Sequence, residues 1–449
     1  MLRRDFTFGL GGMALADILR AETRPPHHAP KADACIFLAM LGGVSQVDTF
    51  DPKPKLAQFD GSIMDWSNEK KTDQPNLFAK PRKFVRSPFK FAKYGQCGRD
   101  VSELLPNLAT VVDDLAFVRS VQSDNGNHPA AVFQMNTGFI IPGNPSMGAW
   151  VTYGLGSVNQ NLPSFVAMPD FRSIPFSGSQ QWGAGFLPAN HQGTILREGR
   201  EPIRDLASPA SALALEKETL DGLNGEYAKL RGDNPDLQAR IDSYELAYRM
   251  QTEAPKTLNI DAEPDHIKEM YGLNDPVTQS FGRRCLMARK LVEAGVRFVE
   301  VFTPSQSWDA HGDIRKNHEK NARETDKPIA ALIKDLKQRG LLPRTLVVWM
   351  GEFGRTPDSP AEQDTPGRDH NTRAQTMFFA GGGSKGGAIT GATDDIGHKA
   401  VENICHVHDV HATMLHLMGL NDMRLTYYFA GRNRRLTDLG GKTIQEVMA

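Results

Sequence analysis

The chain has 449 residues, which is enough for one large α/β domain with insertions or for two domains. Its formal net charge of −1 gives no electrostatic case for binding nucleic acid or a membrane surface. No apolar run approaches the roughly 20 residues of a membrane-spanning helix. The four cysteines are far apart and form no CxxC pair, which argues against a zinc-thiolate site and a dense disulfide framework.

The N-terminus has the order of a twin-arginine export signal. The pair Arg3-Arg4 precedes a mildly apolar, glycine-rich segment that ends at Leu19, and a linker rich in Pro and His follows. We therefore expect residues 1–31 to be a signal and linker and residues 32–449 to act in the periplasm or outside the cell, without an integral membrane segment. The alternative interpretation is a cytoplasmic amphipathic helix.

The first predicted strand, residues 35–41, is a short apolar run bounded by Gly42 and Gly43. Such a run is typical of a strand that is buried on both faces of a parallel sheet. Asp48 and Asp51 follow it closely, and ligands of open α/β sheets bind beyond the carboxyl ends of the strands. The two aspartates could equally cap a helix or a turn.

Further strands alternate with helical patterns along the chain, which predicts an α/β fold with a mainly parallel sheet. The predicted strands are residues 115–121, 164–168, 296–303, 346–350 and 375–380. The predicted helices include residues 102–112, 130–137, 147–156, 277–294, 315–339 and 407–418. Residues 170–205 are rich in Gly, Pro and aromatics and are predicted to form a loop-rich cap, and residues 208–275 are predicted to form a helical insertion.

Acids, histidines or both follow four of the predicted strands. They are Asp48 and Asp51, Asn127 and His128, Asp309 and His311, and Glu352 and Arg355, while Asp369 and His370 form a fifth cluster on a loop. Divalent metals with mixed His and carboxylate ligands need such groups to converge from separate strands. Two ions about 3.5–4 Å apart can clamp an in-line displacement at phosphorus or sulfur, and a nearby arginine suits the transferred anion.

Other enzyme signatures are missing from the sequence. No GxGxxG follows the first strand, no HExxH occurs, and the glycine run at residues 381–387 contains no Gly-Lys-Ser/Thr. The segment around Ser45 lacks the second glycine of a nucleophile elbow.

Six motifs together resemble the exported bacterial family called domain of unknown function 1501, which is grouped with sulfatases and alkaline phosphatases. They are GGVSQVDTFDPKP, NHPAAVFQMNTG, WDAHGD, GEFGRTP, GRDHN and HDVHATMLHLMGL. The resemblance covers nearly the whole chain after the signal. It implies a three-layer alkaline-phosphatase-like sandwich, with helices on both sides of the sheet, as a single domain over residues 32–449. It also implies two metal positions.

The resemblance assigns roles to particular residues. Asp48 matches the acid after the first strand, Glu352 stands where sulfatases have Asp, and Phe353 stands where they have a metal-binding His or Asn. The predicted metal ligands are Asp48, Asp309, His311, Glu352, Asp369 and His370. We expect them to hold one or two divalent ions, with zinc, manganese, iron and calcium all open.

The nucleophile of the related enzymes has no counterpart here. The cysteine that becomes formylglycine, or the Ser or Thr of phosphatases, aligns near Asn127 or His128. A formylglycine mechanism is therefore not expected, and His128 is predicted to be a ligand, a nucleophile or a general acid, with ligand or general acid favoured. The predicted catalytic residues are His128, Asn127 and Arg355.

Two hypotheses from different classes follow. The first is a metal-dependent hydrolase of phosphate or sulfate esters, acting on a small-molecule or polysaccharide substrate. The second is a non-catalytic exported protein on the same fold that binds a sulfated or phosphorylated glycan or a protein partner. Metal content discriminates between them, and nothing in the sequence specifies an oligomeric state.

Overall fold

The computed structural model describes residues 24–64, 81–198 and 254–449, with isolated positions between 202 and 250. The predicted twin-arginine segment before residue 24 and most of the predicted insertion at 208–275 lie outside the described residues. Of the cap predicted at 170–205, the described part holds two short 3₁₀ helices, Gly178–Trp182 and Ala189–His191, and a strand.

The described residues form a central sheet of nine strands. In chain order they are β1 (Ala34–Ala39), β2 (Leu115–Gln122), β3 (Phe165–Met168), β4 (Thr194–Ile195), β5 (Phe298–Phe302), β6 (Thr345–Met350), β7 (Gln375–Ala380), β8 (Ile389–Thr390) and β9 (Cys405–His406). Their spatial order is β8-β2-β7-β6-β1-β5-β3-β4, and β9 also pairs with β2. Among these strands β7 alone is antiparallel to its neighbours, so the predicted mainly parallel sheet is confirmed.

Helices cover both faces of this sheet. They are α1 (Gln46–Thr49), α2 (His128–Thr137), α3 (Met147–Leu155), α4 (Asp265–Met270), α5 (Gln279–Glu293), α6 (Ile314–Gln338) and α7 (Val407–Leu417). One apolar core packs α4, α5 and α6 against one face of the sheet, and a second core packs α2, α3 and α7 against the other. The predicted three-layer architecture is therefore confirmed. No helix of the described segments is long and apolar enough to cross a bilayer.

Short two-stranded ribbons surround the sheet. They pair Arg82–Phe84 with Asp358–Pro360, Phe91–Tyr94 with Arg99–Ser102, Gly354–Arg355 with His370–Asn371, Ala392–Thr393 with Ala400–Glu402, and Tyr427–Phe429 with Arg432–Arg434. Further 3₁₀ helices are Pro54–Gln58, Leu108–Asp114, Leu342–Arg344 and Gln445–Val447.

One edge of the sheet gathers the polar segments. Ala39 of β1 pairs with Phe302 of β5 and with Met350 of β6, so these parallel strands end side by side. The antiparallel β7 starts at the same edge, directly after the segment that contains His370. Polar residues that follow β1, β5 and β6 or precede β7 therefore lie close together, as expected for a sheet of this kind.

The prediction of a helix at residues 102–112 is wrong. The segment instead forms a turn and the 3₁₀ helix Leu108–Asp114. The Asp326 carboxylate of α6 accepts hydrogen bonds from the backbone N–H groups of Asn107 and Leu108, both at 2.8 Å. These partners come from a distant element, and they satisfy the donors at the start of the turn without a full α-helix.

A glutamate lies inside one of the two apolar cores. Glu300 of β5 is 3 % exposed and shares its face with Phe298 and Phe302. Its carboxyl makes no hydrogen bond or ion pair with any described residue, and burial raises the pKa of Glu300 well above its ordinary value. The nearby Cys35 thiol is buried too, and its pKa is also raised. A neutral acid is the form that this environment tolerates.

We predict that Glu300→Gln removes a pH-dependent loss of stability. Below about pH 4.3, Glu300 is protonated in both the folded and the unfolded chain. Above it, the unfolded chain ionises while the folded chain keeps the proton, so the free energy of unfolding falls by about 1.4 kcal/mol per pH unit until the raised folded-state pKa is passed. Urea unfolding of both proteins from pH 5 to 8 should show that the free energy of unfolding of the wild type falls, relative to that of the variant, as the pH rises. Parallel curves would contradict this.

Candidate metal centre

Four side chains from three segments meet at the polar edge of the sheet. His128 is the first residue of α2 and follows the loop after β2. Asp309 and His311 lie in the loop between β5 and α6, and His370 lies in the ribbon that precedes β7. Three of the four, His128, Asp309 and His370, have ligand atoms within 4.8 Å of one another. The structure thus brings together residues that are far apart in the sequence.

The ligand atoms of this cluster face each other closely. His311 Nε2 lies 2.9 Å from His370 Nε2 and 3.1 Å from Asp309 Oδ1. His370 Nε2 is 3.4 Å from the same oxygen, and His128 Nε2 is 3.3 Å from Asp309 Oδ2. Four ligands around one ion, with bonds of about 2.0–2.1 Å, would be separated by about 3.3 Å. The four separations given above, from 2.9 to 3.4 Å, are close to that value.

Hydrogen bonds outside the cluster determine which ring nitrogen of each imidazole faces it. His128 Nδ1 lies 2.6 Å from Glu352 Oε1, and His370 Nδ1 lies 2.5 Å from the carbonyl oxygen of Gly126. Both partners are acceptors, so each Nδ1 carries a hydrogen, and each Nε2 would offer a lone pair to an ion that replaces any proton there. His311 Nδ1 is 3.6 Å from an Asp369 carboxylate oxygen. Metal-ligating histidines are oriented in this way by carboxylates and carbonyls.

The cluster attracts positive charge even as a set of bare side chains. Burial favours the neutral form of Asp309, but hydrogen bonds to the three histidines and the charge of Arg355 hold the pKa of Asp309 well below its usual range. Burial alone would lower the pKa of His128, whereas its contacts with Asp309 and Glu352 raise that pKa to about 9. His128 Nε2 is nevertheless buried without a well-formed hydrogen bond. A divalent ion would satisfy this atom, so the residues fit a metal.

Arg355 also holds the carboxylate of the cluster, through the oxygen that faces His311 and His370. Its Nη2 lies 2.5 Å from Asp309 Oδ1, and the same nitrogen donates to the carbonyl of Gly42. Its Nε donates to the carbonyl of Gly43 at 2.9 Å, and its Nη1 donates to the carbonyl of Arg368 at 3.1 Å. The guanidinium is fully buried, so its donors are committed within the protein.

An aromatic ring closes the cluster on its inner side. Phe353 is 1 % exposed, and its ring centroid lies 4.8 Å from that of His128 and 4.6 Å from that of His370. Gly43 adopts a φ of +75°, and a Cβ there would come within 2.8 Å of the Phe353 ring. Gly43 is therefore required both for the turn and for the ring that packs under the two imidazoles.

The structure places Asp48 away from this cluster. Its carboxylate accepts from Arg368 Nε at 2.6 Å and Nη2 at 3.1 Å and from Ser45 Oγ at 2.5 Å, and all of it is buried. Burial alone would raise the pKa of Asp48, but the charge and hydrogen bonds of Arg368, together with His318 and Ser45, lower it below its ordinary value. Asp51 is likewise occupied, by Lys53 and Arg119. Both carboxylates have cationic partners of their own.

Three other predicted site residues border the cluster. Glu352 accepts from the backbone N–H of Gly42 at 2.9 Å and orients His128. Asp369 contacts His311 Nδ1 and accepts from Arg82 at 3.3 Å. The side chain of Asn127, at the N-cap of α2, makes no capping hydrogen bond.

A cleft of about 350 Å³ opens beside the cluster. It is lined by Arg82, His311, Pro360, Glu362, Gln363, Arg368 and Asp369. The His311 side chain is 52 % exposed, whereas His128 is almost completely buried, so the cluster is reached from the His311 side. Sequence patterns did not indicate Arg82, Arg368 or the Gly126 carbonyl, because their roles depend on pairings between distant segments.

We predict that Glu352→Gln weakens metal binding by about 10–100-fold, the usual cost of losing a carboxylate that orients a ligand. A glutamine amide has only one acceptor oxygen. If that oxygen accepts from both His128 and the Gly42 N–H, the NH₂ group must face another hydrogen-bond donor. Competition with a chelator measures the affinity. Glu300→Gln is the matched control, a buried glutamate in the apolar core, and should bind metal normally. Equal affinities in both variants would contradict the orienting role.

We predict that Asp48→Asn lowers the free energy of unfolding by about 3–5 kcal/mol and leaves the bound metal unchanged, because Arg368 loses its buried counter-charge. The double variant Asp48→Asn/Arg368→Met removes both charges and should recover part of that stability. Urea unfolding and elemental analysis test both statements. Metal loss in a variant of normal stability would instead make Asp48 a ligand.

Comparisons with solved structures return matches of low sequence identity. The lipoteichoic acid synthase LtaP from Listeria monocytogenes is 10% identical with a TM-score of 0.38, covering 97% of this chain and 82% of that chain. The PsFucS1 sulfatase from Pseudoalteromonas sp. is 11% identical with a TM-score of 0.36, covering 98% and 78%. A mutant of TAB5 alkaline phosphatase with Mg bound is 12% identical with a TM-score of 0.37, covering 87% and 99%.

The family comparison covers almost the whole chain. None of the curated proteins matches it. The model of the family described as "Protein of unknown function (DUF1501)" matches residues 32–448. The chain therefore belongs to the DUF1501 family, as its motifs indicated.

Proposed function

We propose that this protein is a metal-dependent hydrolase of phosphate or sulfate esters. The observation that carries the proposal is the convergence of three imidazole Nε2 atoms on the Asp309 carboxylate, at distances of 3.1–3.4 Å from its oxygens. Mixed histidine and carboxylate sets of this kind suit zinc, manganese or iron. The ligands in this proposal are His128, Asp309, His311 and His370.

The donor count favours one ion. A second candidate group consists of His311, Asp369 and His370, but it shares His370 with the first group. Because His370 Nδ1 is bonded to the Gly126 carbonyl, His370 has one nitrogen to offer and can serve one ion. The Arg355 guanidinium already supplies a cation at Asp309 Oδ1. A second ion there would meet a like charge.

A divalent ion at this position would supply Lewis acidity to an ester oxygen. The protein residues have separate tasks. Arg355 keeps Asp309 ionised and in place, Glu352 fixes the tautomer of His128, and Phe353 keeps water from the inner side of the imidazoles. The substrate would occupy the cleft beside His311.

Water is the proposed nucleophile. Within the described segments, no hydroxyl or thiol side chain forms a hydrogen bond with any of the four proposed ligands. His128 itself is unsuited to form a covalent intermediate, because Nδ1 is bonded to Glu352 and Nε2 faces the other ligands. Direct hydrolysis therefore fits the site better than a covalent ester intermediate.

A non-catalytic role is the second candidate. The specific observation in its favour is that the guanidinium of Arg355, predicted to bind the transferred anion, is committed to Asp309 and three backbone carbonyls. A protein that only binds a sulfated or phosphorylated glycan or a protein partner, without hydrolysing it, would need no nucleophile. Either role is compatible with the export that the N-terminal sequence predicts.

We predict about one equivalent of bound divalent metal in the full-length protein, and its loss in the Asp309→Ala/His370→Ala double variant. In this variant the rate of hydrolysis of aryl phosphate and sulfate esters should fall by more than about 100-fold. That loss exceeds the usual effect of changing a residue that only orients a ligand. His266→Ala, at an exposed position of α4, is the matched control and should keep both metal and activity. A folded, metal-free protein that also fails to take up metal would favour the binding role.

A further inference from the structure

We infer that this site selects esters that carry a single negative charge, which are sulfate monoesters and phosphate diesters, over phosphate monoesters, which carry two. This inference rests on the proposed hydrolase function and narrows its substrate class. It is argued from the charges that surround the cluster and from the way in which each arginine there is bound.

The charged side chains that surround the cluster carry two more negative charges than positive charges. Negative charges come from Asp48, Asp309, Glu352, Asp358 and Asp369, and positive charges come from Arg82, Arg355 and Arg368. One divalent ion adds the two positive charges that are missing. With neutral histidines as ligands, the loaded centre is then neutral overall.

The arginines are not available for an additional anionic oxygen. Arg355 is fully buried and bound to Asp309 and three carbonyls. Arg368 is 1 % exposed and holds Asp48 through two nitrogens, while a third nitrogen donates to the carbonyl of Val85. A bidentate arginine that binds phosphate must present two free N–H groups to it, and neither side chain does so.

Arg82 completes this pattern on the wall of the cleft. It is 6 % exposed and is bound to Asp358 and to Asp369. On the rim, Lys83 donates to the carbonyl of Gln363, and the exposed Glu362 carries the opposite charge. The rim therefore adds no excess of positive charge to the cleft.

A substrate of one negative charge needs only the attraction of the ion and the local hydrogen-bond donors. A second negative charge would enter a half-buried, neutral centre beside Asp369, where like charges raise the cost of binding. The same balance applies to the transition state, because hydrolysis does not change the total charge of the ester and water. Selectivity should therefore appear in kcat/KM as well as in binding.

The reaction has a product that tests the inference directly. For a phosphate diester, the water oxygen bonds to phosphorus, one P–O bond breaks, and the leaving alkoxide takes one proton of the water. The second water proton is released, so a phosphate monoester dianion and an alcohol remain. A centre that disfavours dianions should release this product without further hydrolysis. A bis(aryl) phosphate should then give one equivalent of phenol rather than two.

The experiment compares three substrates with one leaving group on the metal-loaded full chain at pH 8.5. They are bis(4-nitrophenyl) phosphate, 4-nitrophenyl sulfate and 4-nitrophenyl phosphate. Relative to the uncatalysed rates, we expect kcat/KM for at least one monoanion to exceed that for the dianion by about tenfold or more, the effect of a modest charge penalty. Calorimetric titration with dimethyl phosphate and with methyl phosphate gives a readout that is independent of turnover.

A charge variant tests the cause. Asp369→Asn removes one negative charge beside His311 and releases Arg82 from one partner, so the ratio of dianion to monoanion binding should rise by about tenfold. Asp364→Asn, in the exposed loop nearby, removes the same charge where solvent screens it and should change the ratio little. An unchanged ratio in both variants would overturn the charge argument.

The outcomes separate the two proposals. Preferred hydrolysis of 4-nitrophenyl phosphate, with tighter binding of methyl phosphate, would overturn the inference and leave the hydrolase function standing. If no ester is hydrolysed by the metal-loaded protein, the hydrolase function falls, and the binding preference between dimethyl phosphate and methyl phosphate then decides the charge inference alone.

Discussion

The Arg355 guanidinium connects its own segment to three others at the polar edge of the sheet. It bonds the carbonyls of Gly42 and Gly43 after β1, the carboxylate of Asp309 after β5, and the carbonyl of Arg368 before β7. Buried carbonyls without partners are costly, so this one side chain stabilises the arrangement of the loops that follow the strands. The candidate ligands depend on it, because it holds the Asp309 carboxylate in position and, together with the three histidines, lowers the pKa of Asp309.

The sequence predicted those features that depend on residues close together in the chain. Apolar runs bounded by glycine predicted the strands, and the parallel sheet predicted that residues after those strands would lie together. Asp309 and His311 were predicted to lie at the site in this way, whereas His370 was placed on a loop, and the family resemblance made all three candidate ligands. The structure brings their ligand atoms within 2.9–3.4 Å of one another. The family resemblance supplied the architecture, because strand order cannot be read from periodicity.

The sequence was uninformative where a role depends on a distant partner. Asp48 and Asp309 both follow core strands, yet Arg368 binds the first and Arg355 binds the second. A glutamate after β6 can be a ligand or can orient one, and the choice is set by the Nδ1 of His128. Glu300 is an example in the core. The periodicity of its strand predicts that the side chain is buried, but it cannot predict that the carboxyl has no hydrogen-bond or ion-pair partner among the described residues. In each case the deciding contact joins residues that only the complete fold brings together.

The large sequence separation between the candidate ligands affects the order in which the chain folds and binds metal. Because residues 128 and 370 are far in the sequence from the pair 309 and 311, a short stretch of the unfolded chain offers at most two of the four candidate ligands. An ion would therefore bind the native state almost exclusively and, at a thousand times its dissociation constant, would stabilise that state by about 4 kcal/mol. Metal loading would follow folding, and the compartment in which the chain folds would decide which ion it receives.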